Sequence, residues 1–167
     1  MNIRLCFLAL AAPAFAIAAS DNPDNTFYKH AAEAGMAEVE LGDLAQQKSS
    51  NPKVKDFGAM MVKDHTAAND KLKSIAAAKG ISLPSSPSVG QMATKAKLEV
   101  LSGDTFDKSY IKGMIKDHKE AIQEFKKEAA SGADADAKAF AAATLPTLRT
   151  HLQSIDAIAT DAGISTQ

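Results

Sequence analysis

Residues 80–103, GISLPSSPSVGQMATKAKLEVLSG, decide how this chain folds. They lie between one pair of long amphipathic segments and another. Gly80 and Gly103 bound the stretch, Pro84 and Pro87 keep its first half irregular, and Gln91–Leu101 reads as a short connecting helix. A link of this length can return along the long axis of a bundle. The links on either side, around Ser50-Asn51-Pro52 and Ser131-Gly132, are only a few residues long, so the segments they join must be antiparallel neighbours. The pattern predicts an all-α, ferritin-like four-helix bundle: two antiparallel hairpins joined by a long crossover that contains a short helix.

The helices themselves are marked by composition and punctuation. Alanine is abundant, Trp is absent and runs of β-branched residues are missing, which favours helix. The first long helix is expected from Asn25 to Lys48, with Asp24 or Asn25 as its cap. The second opens at Pro52, suited to a first turn, and stops at Gly80. The third starts at Ser102-Gly103-Asp104 and runs to about Ala130. The fourth runs from about Asp134 to Asp161, with a kink expected at Pro146.

The N-terminus reads as a cleaved secretory signal over residues 1–20. Arg4 is a short basic start, an apolar run broken by Pro13 follows, and Ala16-Ile17-Ala18 is the cleavage motif. This leaves a single domain, residues 21–167, bound for the periplasm or cell envelope. The one cysteine, Cys6, falls within the signal, so the mature chain has neither a disulfide nor a thiolate ligand. Removing Arg4 leaves 19 − 1 = 18 basic against 20 acidic residues, a net charge of −2. That balance argues against nucleic acid as a partner, and no later segment is apolar enough to span a membrane. Neither a protein partner nor an oligomeric state is legible.

Four polar residues interrupt the apolar stripes. Glu38 lies on the first long helix among Ala34 and Leu41. His65 lies on the second among Met61 and Leu72, His118 on the third among Met114 and Ile122, and His151 on the fourth among Leu148 and Ile155. Each falls within about three residues, or roughly 4.5 Å, of its helix midpoint. A core rejects such groups unless they are paired, hydrogen-bonded or metal-bound. Three imidazoles and a carboxylate at one level suit a single divalent zinc, copper or iron ion. Asp64 and Asp117 precede two of the histidines and can support neighbouring ligands. Met61 and Met114 sit one turn away, and Tyr110 or Thr144 can complete a buried network. His30 is two turns from Glu38 and belongs on the surface or rim.

Together, EVELGDLA (38–45), MVKDHTAANDKL (61–72), FDKSYIKGMIKDH (106–118) and LPTLRTHL (145–152) resemble the secreted bacterial domain-of-unknown-function family 4142. The resemblance implies a ferritin-like helical bundle in the cell envelope, often described as an outer-membrane protein, and no settled activity. It marks Glu38, Asp64, His65, Asp107, Tyr110, His118 and His151 as motif positions, without ligand roles, and adds Asp107 to the residues expected around the site.

Dinuclear iron chemistry is disfavoured. It requires Glu-x-x-His on two helices, whereas Val62, Ile115 and Leu148 stand three residues before the histidines. No catalytic set is evident. The leading expectation is an exported metal-binding bundle for metal buffering or envelope stress protection. The rival is a non-metal interaction or stress-protective module whose polar residues form a structural network, and a weaker third is an enzyme with a mononuclear metal. Weak internal echoes, Met61–His65 in Met114–His118 above all, hint at duplication.

Overall fold

The structure, a computed structural model, describes Asn22 and residues 24–165. The expected leader, residues 1–20, lies outside the described residues. Five helices follow in order: α1 (Asn25–Lys48), α2 (Pro52–Lys79), α3 (Val89–Glu99), α4 (Gly103–Ser131) and α5 (Ala135–Asp161). The short connecting helix α3 starts two residues earlier than its periodicity indicates. Ser88 and Gln91 form a reciprocal capping box there, with Gln91 Oε1 accepting from the Ser88 backbone N–H at 2.8 Å.

Local chemistry sets the other ends. Asn51 Oδ1 accepts from the Lys53 N–H at 2.9 Å, with Pro52 in the first turn of α2. Gly80 stops α2 in the left-handed conformation, φ +67°. Asp134 caps α5 by accepting from the N–H groups of Asp136 and Ala137. Asp24 does not cap its own helix; its carboxylate accepts from the Asp134 N–H at 2.6 Å and ties the start of α1 to the start of α5. Pro146, where a kink is expected, lies within the continuous span of α5.

Contacts at the two ends fix the topology. At one end, Lys79 of α2 pairs with Asp134 and Asp136 at the start of α5. At the other, Ser49 and Ser50 donate to Asp107 near the start of α4, and Lys53 at the start of α2 pairs with Asp161 at the end of α5. The long helices therefore run up, down, down, up, and the segment carrying α3 returns the chain along the bundle. This is the ferritin-like arrangement. α1 packs chiefly on α2 and α4 on α5, while the two hairpins meet more thinly along α2–α5 and α1–α4.

Two apolar clusters fill the interior. One gathers Leu41, Phe57, Met61, Phe106, Ile111 and Ile155; the other gathers Phe27, Leu72, Ile122, Phe125, Phe140 and Leu148. The interior histidines lie between them along each helix. Among the described residues, no helix is long and apolar enough to cross a membrane.

Gly42 and Gly58 mark a close backbone approach within the first hairpin. A Cβ on Gly42 would lie 2.7 Å from the Gly58 carbonyl oxygen, and one on Gly58 would lie 2.6 Å from that of Gly42. A backbone carbonyl cannot swing aside as a side chain can. Gly42→Ala or Gly58→Ala should therefore force the helices apart and lose about 1–3 kcal/mol. Gly113, on α4, has open space around its Cβ position, so Gly113→Ala should gain about 0.5–1 kcal/mol from helix propensity. Urea unfolding midpoints of the three variants check both signs.

Candidate metal centre

His65, His118 and His151 enter the interior from α2, α4 and α5 at one level. Their ring centroids are 5.3–6.0 Å apart. Each ring offers one nitrogen to a set lying within 4.8 Å of one another. His118 and His151 are 1% exposed and His65 is 9% exposed. Phe57, one ring further along the bundle, meets both His118 and His151 edge-on at 6.3 Å.

The partners of the remaining ring nitrogens set the tautomers. His118 Nδ1 lies 2.8 Å from the Met114 carbonyl oxygen, one turn back on α4. A carbonyl only accepts, so Nδ1 carries the proton and a neutral ring leaves Nε2 with its lone pair free. His151 Nε2 lies 3.0 Å from Asp64 Oδ2, across the α2–α5 seam. Donation to that carboxylate leaves Nδ1 free. His65 Nε2, His118 Nε2 and His151 Nδ1 are all buried without a hydrogen-bond partner. A histidine held through one nitrogen by a carboxylate or carbonyl, with the other nitrogen free, is the arrangement found at metal-binding imidazoles.

Electrostatics keeps two of these rings neutral. Burial, with His118 and His151 close by, pushes the His65 imidazole down to about 3. Burial pushes His118 down to about 4, although the Met114 carbonyl favours its protonated form. Neutral imidazole is the metal-binding form.

Glu38 of α1 stands beside this set but is not a member of it. It is 7% exposed, with Oε2 unpartnered. Burial, then the neighbouring Asp117, raises its carboxyl to about 8. Glu38, His65, Asp117 and His118 together line a cavity of about 510 Å³ between α1 and α4. Its mouth carries His30, which pairs with Glu124 at 3.0 Å and so lies on the rim, as its position in the sequence indicates.

The expected supporting residues divide. Asp64 holds His151. Asp117 faces the cavity beside Glu38 instead of a histidine. Met114 acts through its backbone carbonyl, while its side chain and that of Met61 are buried in an apolar cluster. Tyr110 packs against Phe57 and Phe106, and its buried hydroxyl is unpartnered. Burial, and then Glu38, holds that hydroxyl well above its ordinary range. Thr144 donates to the Phe140 carbonyl of its own helix. Asp107 is a correction: it lies eleven residues before His118, about 16 Å along the α4 axis. Both of its oxygens accept from serine hydroxyls, so it ties the α1–α2 turn to α4. The pinning role of the Met114 carbonyl is not anticipated by the sequence reading, although its signal, a histidine four residues after a helical carbonyl, is present.

Fold and site define a ferritin-like bundle with a three-histidine interior layer. The chain belongs to the family described as "Domain of unknown function (DUF4142)", whose sequence profile matches residues 9–158. No curated protein matches it. Among solved structures it resembles a DUF305 protein of Streptomyces coelicolor, named as a candidate secreted protein, with TM-score 0.75 and 14% identity over 88% of this chain and 96% of that one. It also resembles a DUF305 fragment of Deinococcus radiodurans, with TM-score 0.71 and 12% identity over 81% and 93%. At these identities the likeness is one of fold.

The shifted groups give the metal-free protein a stability that depends on pH in two directions. His65 and His118 are depressed on folding, so their contribution is complete above about 6.5 and is lost as pH falls toward 4 and 3. Glu38 is raised, so its contribution is complete below about 4.5 and is lost as pH rises through 8. Two groups act on the acid side and one on the alkaline side, which places their joint maximum between about pH 6 and 7. Glu38→Gln should flatten the alkaline limb, and His65→Leu should shallow the acid limb, in urea midpoints measured across pH 5–9 in chelator.

Proposed function

We propose that this protein is an exported bundle that holds one divalent transition metal through His65, His118 and His151, with Glu38 facing the same space from α1. In this reading residues 1–20 are removed on export and residues 21–167 form one domain in the periplasm or cell envelope. The role is metal buffering or protection of the envelope under stress. The supporting observation is a trio of buried rings that each bring one nitrogen within mutual reach and each bury a nitrogen without a partner, with Asp64 or the Met114 carbonyl holding the other nitrogen of two of them.

The rival reading, a structural polar network serving a non-metal interaction module, has less support. That network needs Glu38 to accept hydrogen bonds from the imidazoles, yet its Oε2 is among the unpartnered atoms with three ring nitrogens. Each buried unsatisfied group costs about 1–3 kcal/mol. A metal ion satisfies all three nitrogens at once. Neutral nitrogen donors favour zinc or copper, with iron less suited for want of carboxylate ligands.

The purified protein should bind about one equivalent of zinc or copper, measured by elemental analysis after desalting. Metal at 100 times its Kd should stabilise the fold by about 2.7 kcal/mol, or about 5–10 °C in Tm for a chain of this size. His118→Ala should abolish the shift. Asp64→Asn, which removes the charge behind His151 and keeps the shape, should weaken binding by about 10–100-fold. Less than a tenth of an equivalent, with no change in Tm, refutes the reading.

A further inference from the structure

Resting on that metal reading, we propose that the fourth coordination position is not filled by Glu38 but is left open to the α1–α4 cavity, where it takes a small exogenous ligand: a σ-donor of a few heavy atoms, such as hydroxide or a pseudohalide. Four observations converge on this. The mutually close donor set stops at three imidazoles, and Glu38 is outside it. Two of those three rings, His65 and His118, are themselves walls of the cavity of about 510 Å³. Far more space is present than the single water-sized site that a closed, structural centre leaves. The cavity reaches the surface along the thin seam between the hairpins, past His30, Lys116, Glu120 and Glu124.

The opposite seam is different. There a groove of about 550 Å³ between α2 and α5 is lined by Asp64, which is bonded to His151, but by none of the three imidazoles. Access to the imidazoles is therefore from the α1–α4 side, and a bound metal would meet chemically unequal surroundings on its two sides. Three protein ligands with an open fourth position are the signature of a metal that polarises a bound molecule, in contrast to the closed four-ligand sets that only hold a fold together. Glu38, 7% exposed with Oε2 unpartnered, lines the same cavity as His65 and His118. It is assigned as the residue that positions the ligand by hydrogen bonding, and it makes no bond to the metal.

The test uses the cobalt(II)-loaded protein, whose visible absorption reports coordination, titrated with azide. A histidine-dependent cobalt spectrum, absent in His118→Ala, establishes that the metal reading holds before azide is added. Azide should then shift the bands saturably in the wild type. Ala34→Leu, which narrows the cavity, should weaken azide by at least about tenfold while cobalt affinity stays the same. Glu38→Ala should still bind cobalt with a histidine-dependent spectrum and should weaken azide binding. Two results overturn the proposal: no azide response in wild type but a response in Glu38→Ala, which makes Glu38 the fourth ligand; or no response in either, which makes the centre closed. Failure of cobalt to bind at all overturns the metal reading itself.

Discussion

Three imidazoles buried at the junction of two hairpins are the constraint around which this bundle is organised. They separate the two apolar clusters of the core. They also sit where the fold is held least tightly, because packing is dense within each hairpin and thin between them. The chain thus places polar groups where apolar burial would otherwise have joined its halves. His65 comes from one hairpin and His118 and His151 from the other. Any ion bound by all three cross-links the hairpins. Even without an ion, the bond from His151 to Asp64 spans the seam at 3.0 Å. Site and tertiary stability are one device here, so loss of the site loosens the bundle and loosening of the bundle opens the site.

The fold is legible in the sequence wherever backbone chemistry or a long periodicity fixes the outcome. Pro52, Gly80 and Asp134 punctuate helices for reasons that neighbours do not alter, and the length of the stretch from Gly80 to Gly103 carries the topology. The level shared by His65, His118 and His151 follows from helix lengths and the 1.5 Å rise. Less legible are choices made between helices. Nothing local to Asp107 says that two serines of the α1–α2 turn will claim its carboxylate. Nothing local to Asp64 or Asp117, which share a motif, says that one will meet an imidazole and the other a carboxyl group. Asp24 stands where a cap belongs, yet it bonds to the start of a helix more than a hundred residues away. Such partners depend on crossing geometry, which periodicity does not contain.

The echo between Met61–His65 and Met114–His118 acquires a meaning from the topology. The two motifs lie on α2 and α4, which run in the same direction and face each other diagonally. A half-turn about the bundle axis would superpose α2 on α4 and α5 on α1. Under it His65 matches His118, Asp64 matches Asp117, and His151 matches Glu38. The matching holds in the contacts: Asp64 meets His151, and Asp117 lies close enough to Glu38 to raise its carboxyl. The symmetry fails at one position, with an imidazole on α5 and a carboxyl on α1. The α2–α5 seam carries a carboxylate–histidine pair, and at the α1–α4 seam Asp117 and Glu38 line a cavity with two of the imidazoles.

That broken symmetry also separates this site from the dinuclear centres that share the topology. Those centres gather carboxylates, whose negative charge offsets two hard cations and whose paired oxygens bridge them. Here Val62, Ile115 and Leu148 occupy the positions three before the histidines, so bridging groups are missing by sequence and not by conformation. On the proposed reading, neutral donors would leave a bound divalent ion with its full charge. Such an ion attracts an anion or polarises a neutral ligand more strongly than one already neutralised by carboxylates. The apolar clusters above and below the layer reinforce this by keeping the local dielectric low. On the proposed metal reading the same topology would support two chemistries: carboxylates on all four helices build a bridged pair of metals, whereas three histidines with aliphatic residues three before them would hold one ion.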